Sequence, residues 1–172
     1  MPMNAADIMT RRVIAARPDD TVAEVARLLA TSGISAVPVC DPDGQLLGMI
    51  SEGDLLQPFG QEHALHRSWW LSLLAQGVDA VDAFREYVQM DRRRARDLMK
   101  SPVITVSADA RLAEIAHLLM HHRVKRLPVV RAGKLVGIVS RADLISAVAQ
   151  LQAASGRLAR GPARGGSHHP LS

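Results

Sequence analysis

Apolar residues recur at helical spacing over 112–120, where Leu112, Ile115, Ala116, Leu119 and Met120 predict an amphipathic helix. Asp109 is placed to cap it. The β-branched run Pro102-Val103-Ile104-Thr105-Val106 predicts a short strand before the helix. Two further β-rich runs follow it, Leu127-Pro128-Val129-Val130 and Leu135-Val136-Gly137-Ile138-Val139. A turn at Ala132-Gly133 separates them, which reads as a hairpin. Ser140 then caps a helix carrying Leu144, Ile145 and Val148. The predicted order is strand, helix, strand, strand, helix.

The same pattern is written earlier in the chain. Asp7-Ile8-Met9 returns as Asp97-Leu98-Met99, Val13-Ile14 as Val103-Ile104, and Glu24 as Glu114. Leu28-Leu29 answer Leu118-Leu119, and Pro38-Val39 answer Pro128-Val129. After a one-residue slip, Gly48-Met49-Ile50-Ser51 answers Gly137-Ile138-Val139-Ser140, and Asp54-Leu55 answers Asp143-Leu144. In the first copy Asp19 or Asp20 is the expected helix cap, and Asp41-Pro42-Asp43-Gly44 the hairpin turn. Two copies are too few for a solenoid. They predict an α/β (α+β) fold of two β-α-β-β-α repeats related by pseudo-two-fold symmetry, each covering the apolar face of the other. Any site between them should then come as a pair.

Four stretches follow: 1–56 as the first repeat, 57–96 as a helical insert, 97–152 as the second repeat, and 153–172 as a tail. In the insert, Trp69, Trp70, Leu73 and Leu74 sit at helical spacing, as do Ala80, Val81, Phe84, Tyr87 and Val88, with Gly77 between them. A stretch this apolar is expected to pack back on the repeats or on a partner chain. From Ala153 the composition shifts to Gly, Ser, Arg, Pro and His, so Ala154–Ser172 reads as disordered.

Composition adds limits. Of 172 residues 48% are apolar but only 3% aromatic, so the core must be built from Leu, Val, Ile, Ala and Met. No apolar run approaches the roughly 20 residues of a membrane span. Met1 to Asp7 has no charged leader before an apolar core, so no secretory signal is expected. The single cysteine, Cys40, cannot form an internal disulfide, which agrees with a cytoplasmic location. The net charge of +4 is concentrated in Arg92-Arg93-Arg94 with Arg96, in Arg123, Lys125 and Arg126, and in Arg157, Arg160 and Arg164. Short basic runs usually form solvated faces; few aromatics and no reader motif argue against a nucleic-acid partner.

The pattern Asp-hydrophobic-Met, helix, x-x-Pro-Val, hydrophobic-Gly-hydrophobic-hydrophobic-Ser-x-x-Asp-Leu resembles the CBS domain, whose tandem pairs form one module. The resemblance covers both copies, about 100 of the 172 residues, and the ordered set is specific because it occurs twice. The insert, with Arg67-Ser68-Trp69-Trp70-Leu71 and Glu86-Tyr87-Val88, is similar to that of a bacterial subgroup often carrying a BON domain, which this sequence lacks. The resemblance implies binding of an adenine nucleotide (AMP, ADP or ATP) or a relative such as S-adenosylmethionine in the cleft between the copies. It implies regulation rather than catalysis, no obligatory cofactor, and a homodimer acting on an unidentified protein partner.

Ser51-x-x-Asp54 and Ser140-x-x-Asp143 each follow a buried strand and open a helix, where free N–H groups favour anions. Each Asp could accept both hydroxyls of a ribose. The same Ser-x-x-Asp also reads as a helix cap with no ligand, and the two roles are compatible. By the resemblance, the turn holding Arg123, Lys125 and Arg126 lines the cleft and could neutralise phosphates. The aligned residues Gly33, Ser35 and Ala36 carry no charge, and Thr105, a position the family often uses near the ligand, aligns with Ala15. The two sites should therefore differ, with the one around Asp143 the stronger. His117 and His121 lie four apart, but no carboxylate or Cys at ligand spacing supports a metal. Trp69-Trp70 reads as packing, and Cys40 as a small buried residue. No phosphate loop, His-Glu-x-x-His or nucleophile elbow is present. The alternatives are a dimerisation scaffold whose clefts bind nothing, and a nucleic-acid binder using the basic clusters.

Overall fold

The computed structural model describes residues 2–56, 85, 89 and 91–159. The readings made for the insert around Trp69, Trp70 and Phe84 lie outside these residues. So does the tail from residue 160.

The fold is mixed α/β and follows the repeat. The first half runs α1 (Ala5–Ile8), α2 (Val22–Ser32), β1 (Ala36–Cys40), β2 (Leu46–Ser51) and α3 (Glu52–Leu56). The second runs α4 (Ala95–Leu98), β3 (Val106–Ser107), α5 (Leu112–His121), β4 (Arg126–Arg131), β5 (Lys134–Ser140) and α6 (Arg141–Ala159). β1 and β2 form an antiparallel hairpin, closed where Asp41 accepts the N–H groups of Asp43 and Gln45. β4 and β5 form its counterpart around Ala132 and Gly133, both at positive φ (51° and 76°), which suits a tight two-residue turn.

Several local expectations need correction. The cap of α2 is Thr21, not Asp19 or Asp20: its Oγ1 accepts the Glu24 N–H, and Glu24 accepts the Thr21 N–H in return. α5 starts after Arg111, with no side-chain cap, so Asp109 lies two residues too early. The strand expected over 102–106 is confined to Val106–Ser107, which pair in parallel with Val129 and Val130. Pro102 has no N–H to extend the ladder. In the first half only a single parallel bridge, Ala16 to Val39, remains. Finally α6 runs through Ala154 to Ala159, because Ala153, Ala154, Arg157 and Leu158 are strong helix formers.

Two cores result, and each contains a piece of the other repeat. Val25, Leu29, Val37, Val39 and Ile50 pack with Ala95, Leu98 and Met99. Ile115, Leu119, Leu127, Val129 and Val139 pack with Ala5, Ile8 and Met9. The leading helices are thus exchanged. The Ala5 N–H donates to Ala110 O at 2.8 Å, and the equivalent Ala95 N–H to Asp20 O at 2.8 Å. Thr10 and Ile138 exchange two backbone hydrogen bonds, as do Lys100 and Met49. The hairpin tips also meet: Leu46 N–H donates to Gly133 O and Leu135 N–H to Gly44 O.

Glycine permits the exchange. A Cβ on Gly48 would lie 2.6 Å from Met99 Sδ and 2.9 Å from the Lys100 carbonyl oxygen, and one on Gly137 would collide with Met9. The thioether could swing aside, but the carbonyl is held by the Met49 N–H. Gly48→Ala should therefore destabilise the fold by about 1–3 kcal/mol, read as a lower urea midpoint at unchanged slope. An unchanged midpoint would show that the 94–100 segment shifts freely.

Candidate functional site

β4 and β5 pair so that Arg126 stands opposite Ser140, with α6 starting at the next residue. The Ser140 N–H and hydroxyl both donate to Asp143 Oδ2, at 2.8 and 2.9 Å, and the Asp143 N–H donates back to Ser140 Oγ at 3.2 Å. The cap reading of Ser-x-x-Asp is therefore correct. It uses one carboxylate oxygen. Oδ1 of the half-buried Asp143 has no partner among the described residues. The Arg141 N–H donates to Lys125 O, tying the start of α6 to the cationic turn.

The turn itself is backbone-constrained. Gly33 ends α2 at φ 63°, and Arg123 adopts φ 53° at the aligned position. An L-residue in this left-handed region is strained by about 1–2 kcal/mol. The chain thus carries a guanidinium where glycine would fold more easily. Arg123 and Lys125 are exposed and have no side-chain partner among the described residues. Thr105 is half-buried one residue before β3, level with Pro128 by the parallel register, and makes no hydrogen bond to Ser140 or Asp143.

Arg126 behaves differently from its two neighbours. Its guanidinium leaves the second repeat and donates to Ser35 Oγ at 3.0 Å and to Ala36 O at 3.5 Å. The structure thus leaves Arg123 and Lys125 at the turn beside Asp143 and takes the Arg126 guanidinium across to the first repeat. Arg126 bridges the starts of β1 and β4.

The first-repeat set is built alike. Ala36 stands opposite Ser51, and Ser51 donates through its N–H and hydroxyl to Asp54 Oδ2, at 2.8 and 3.0 Å. Here, however, Asp54 is buried at 7% exposure, and its Oδ1 lies 3.4 Å from Lys100 Nζ. Sequence reasoning missed Lys100. The signal was the mismatch between Thr10 and Lys100 at the end of the Asp-x-Met motif.

Other candidates resolve simply. Burial, aided by neighbouring Asp41, pushes the Cys40 thiol above its ordinary range, which disfavours a thiolate nucleophile. Arg93 forms an ion pair with Asp91 at 2.6 Å, holding that carboxyl below its usual range, and Arg96 pairs with Asp19. Arg94 donates to Asp19 O. Arg93, Arg94 and Arg96 thus each have a partner within the chain while remaining exposed. His117 and His121 stack at 5.5 Å and His122 meets His121 edge-on. Among the described residues no group of three or more His, Cys, Asp or Glu is placed to share a metal ion. No described helix is long and apolar enough to cross a membrane.

Two exchanged repeats, each ending in the same Ser-x-x-Asp helix start, define a tandem-repeat module. The profile of the CBS domain matches residues 5–59 and 95–150, and the chain belongs to that family as a tandem CBS-domain protein. It is 30% identical over 154 residues to the protein MJ1426 of Methanocaldococcus jannaschii, covering 83% of this chain and 89% of that one. The solved structure of CBSX2, a CBS-pair protein from Arabidopsis thaliana, in complex with AMP is similar at TM-score 0.66 and 26% identity, covering 87% of this chain and 98% of that one. Hypoxic response protein 1 of Mycobacterium tuberculosis, solved with two coordinated zinc ions, is similar at TM-score 0.60 and 26% identity, covering 84% and 98%.

Proposed function

We propose that this chain is a regulatory module that binds an adenine nucleotide (AMP, ADP or ATP) between its two repeats and passes occupancy to a protein partner. One observation carries the reading: Asp143 is held in place by Ser140 yet keeps Oδ1 without a partner among the described residues, beside a turn bearing Arg123 and Lys125. A carboxylate fixed in this way accepts a ribose hydroxyl without first being ordered. We assign the Ser140 hydroxyl and Thr105 as further polar contacts to the ligand. Arg123 and Lys125 supply charge for phosphate, and the strain kept at Arg123 fits a position retained for its side chain. The similarity to CBSX2, solved with AMP, supports the class of ligand.

In this reading Ser51 and Asp54 form the weaker, first-repeat site. The module works by population shift: a ligand moves the equilibrium only by its preference for one state. It acts as a cytoplasmic homodimer and without catalysis of its own. Met120 and Ile145, each 70% exposed, with Val148 and Leu151, are the apolar surface we assign to the second copy.

Thermal unfolding with AMP, ADP and ATP tests this directly. A ligand at a hundred times its Kd adds about 2.7 kcal/mol, which for a chain of this size raises Tm by roughly 5–10 °C. If none of the three moves Tm or gives heat in titration calorimetry, the nucleotide reading fails. Sedimentation of the same sample checks the dimer, and a monomer at micromolar concentration overturns that part.

A further inference from the structure

The two sites differ most at a residue outside the ribose-binding motif. Lys100 follows α4, the helix that the second repeat lends to the first, and its backbone is clamped to Met49 by a pair of hydrogen bonds. That clamp delivers its ammonium to Asp54 Oδ1 at 3.4 Å. With Oδ2 taking the Ser51 N–H and hydroxyl, both carboxylate oxygens of Asp54 are occupied. A second cation from the same repeat, Arg126, binds Ser35 and Ala36 beside Ser51. In the second-repeat site the pseudo-equivalent of Lys100 is Thr10, clamped to Ile138 in the same way. Thr10 carries no charge, and Asp143 has no ion pair among the described residues.

We propose that Lys100 is an internal latch on the first-repeat site, occupying the carboxylate that a ribose would need, so that each chain takes one nucleotide, at Asp143. The inference rests on the functional reading above and adds stoichiometry and the residue that sets it. A ribose reaching Asp54 must displace the Lys100 ammonium, exchanging an opposite charge for hydroxyl groups that carry none. Lys100 is itself 78% exposed, so its removal should leave the fold intact.

The test is titration calorimetry of the full chain with AMP. Wild type should bind one AMP per chain, and Asp143→Ala should lose it. Lys100→Thr, which copies the second-repeat residue, should bind two, with the added site within about tenfold of the first. Lys100→Thr combined with Asp54→Asn, which preserves side-chain shape, should return to one. Wild type binding two AMP with similar affinity overturns the latch. So does Lys100→Thr still binding one, or binding less tightly, which would make Lys100 a ligand contact instead. If wild type binds no AMP, the functional reading of the Asp143 site fails on its own terms. An Asp54-dependent site appearing in Lys100→Thr would then still sustain the latch, and no binding in either protein overturns both.

Discussion

Replacing Asp143 by alanine should weaken AMP binding by at least about tenfold, because a charged hydrogen bond contributes roughly 1.5–3 kcal/mol and 1.4 kcal/mol is one decade in Kd. The expectation is specific to the second repeat. Asp54 has the same cap geometry, but Lys100 takes its remaining oxygen, so AMP does not use it and Asp54→Ala should change AMP affinity by less than about threefold. Asp143→Ala also removes the acceptor of the Ser140 N–H and hydroxyl at the start of α6, which should cost about 1 kcal/mol of stability. Asp143→Asn separates the two effects. It preserves an acceptor oxygen but not the charge, so it should restore most of the stability and only part of the affinity. Calorimetry at a temperature where all three proteins are folded gives the answer. Equal affinity in Asp143→Ala and wild type, or a larger loss in Asp54→Ala, would move the site to the first repeat.

Much of the architecture is local and hence legible from the residues in order. Asp41-Pro42-Asp43-Gly44 closes its hairpin as the turn chemistry requires, and Ala132-Gly133 closes the other. Ser140 and Asp143 form the reciprocal cap their spacing implies. The Thr21-x-x-Glu24 box is equally legible, although Asp19 and Asp20 beside it offer competing caps. What local pattern cannot supply is the choice between two similar partners. Ile8 and Met9 advertise a need for burial, but the apolar faces of the two repeats are alike, and nothing in periodicity says which one they cover. The same limit hid Lys100 and Arg126. Their side chains act across the repeat boundary, on Asp54 and Ser35, at separations that no motif encodes.

That exchange makes a second large effect testable. A chain lacking residues 2–10 should lose on the order of 5 kcal/mol, and the loss should fall on the distant repeat rather than on its own. Four backbone hydrogen bonds disappear: Ala5 to Ala110, Ala6 to Ala108, and the pair between Thr10 and Ile138. Each contributes about 0.5–1.5 kcal/mol net. The fully buried Ala5 and the half-buried Ile8 and Met9 also leave the second core, at about 1 kcal/mol for each larger side chain. Met9 in particular covers Gly137, so its departure bares the middle of β5. Such a sum is comparable to the 5–15 kcal/mol that holds a typical domain together. Hydrogen exchange should therefore accelerate over residues 104–144 and much less over 16–51, whose own lent helix, α4, is still present. Faster exchange confined to 16–51, or none in either half, would show that the leading segment does not stabilise the opposite repeat. The expected pattern would couple the halves through their borrowed helices. Ligand binding beside Ser140, two residues beyond Ile138 of the Thr10–Ile138 clamp, would then reach the N-terminal segment through contacts already in place.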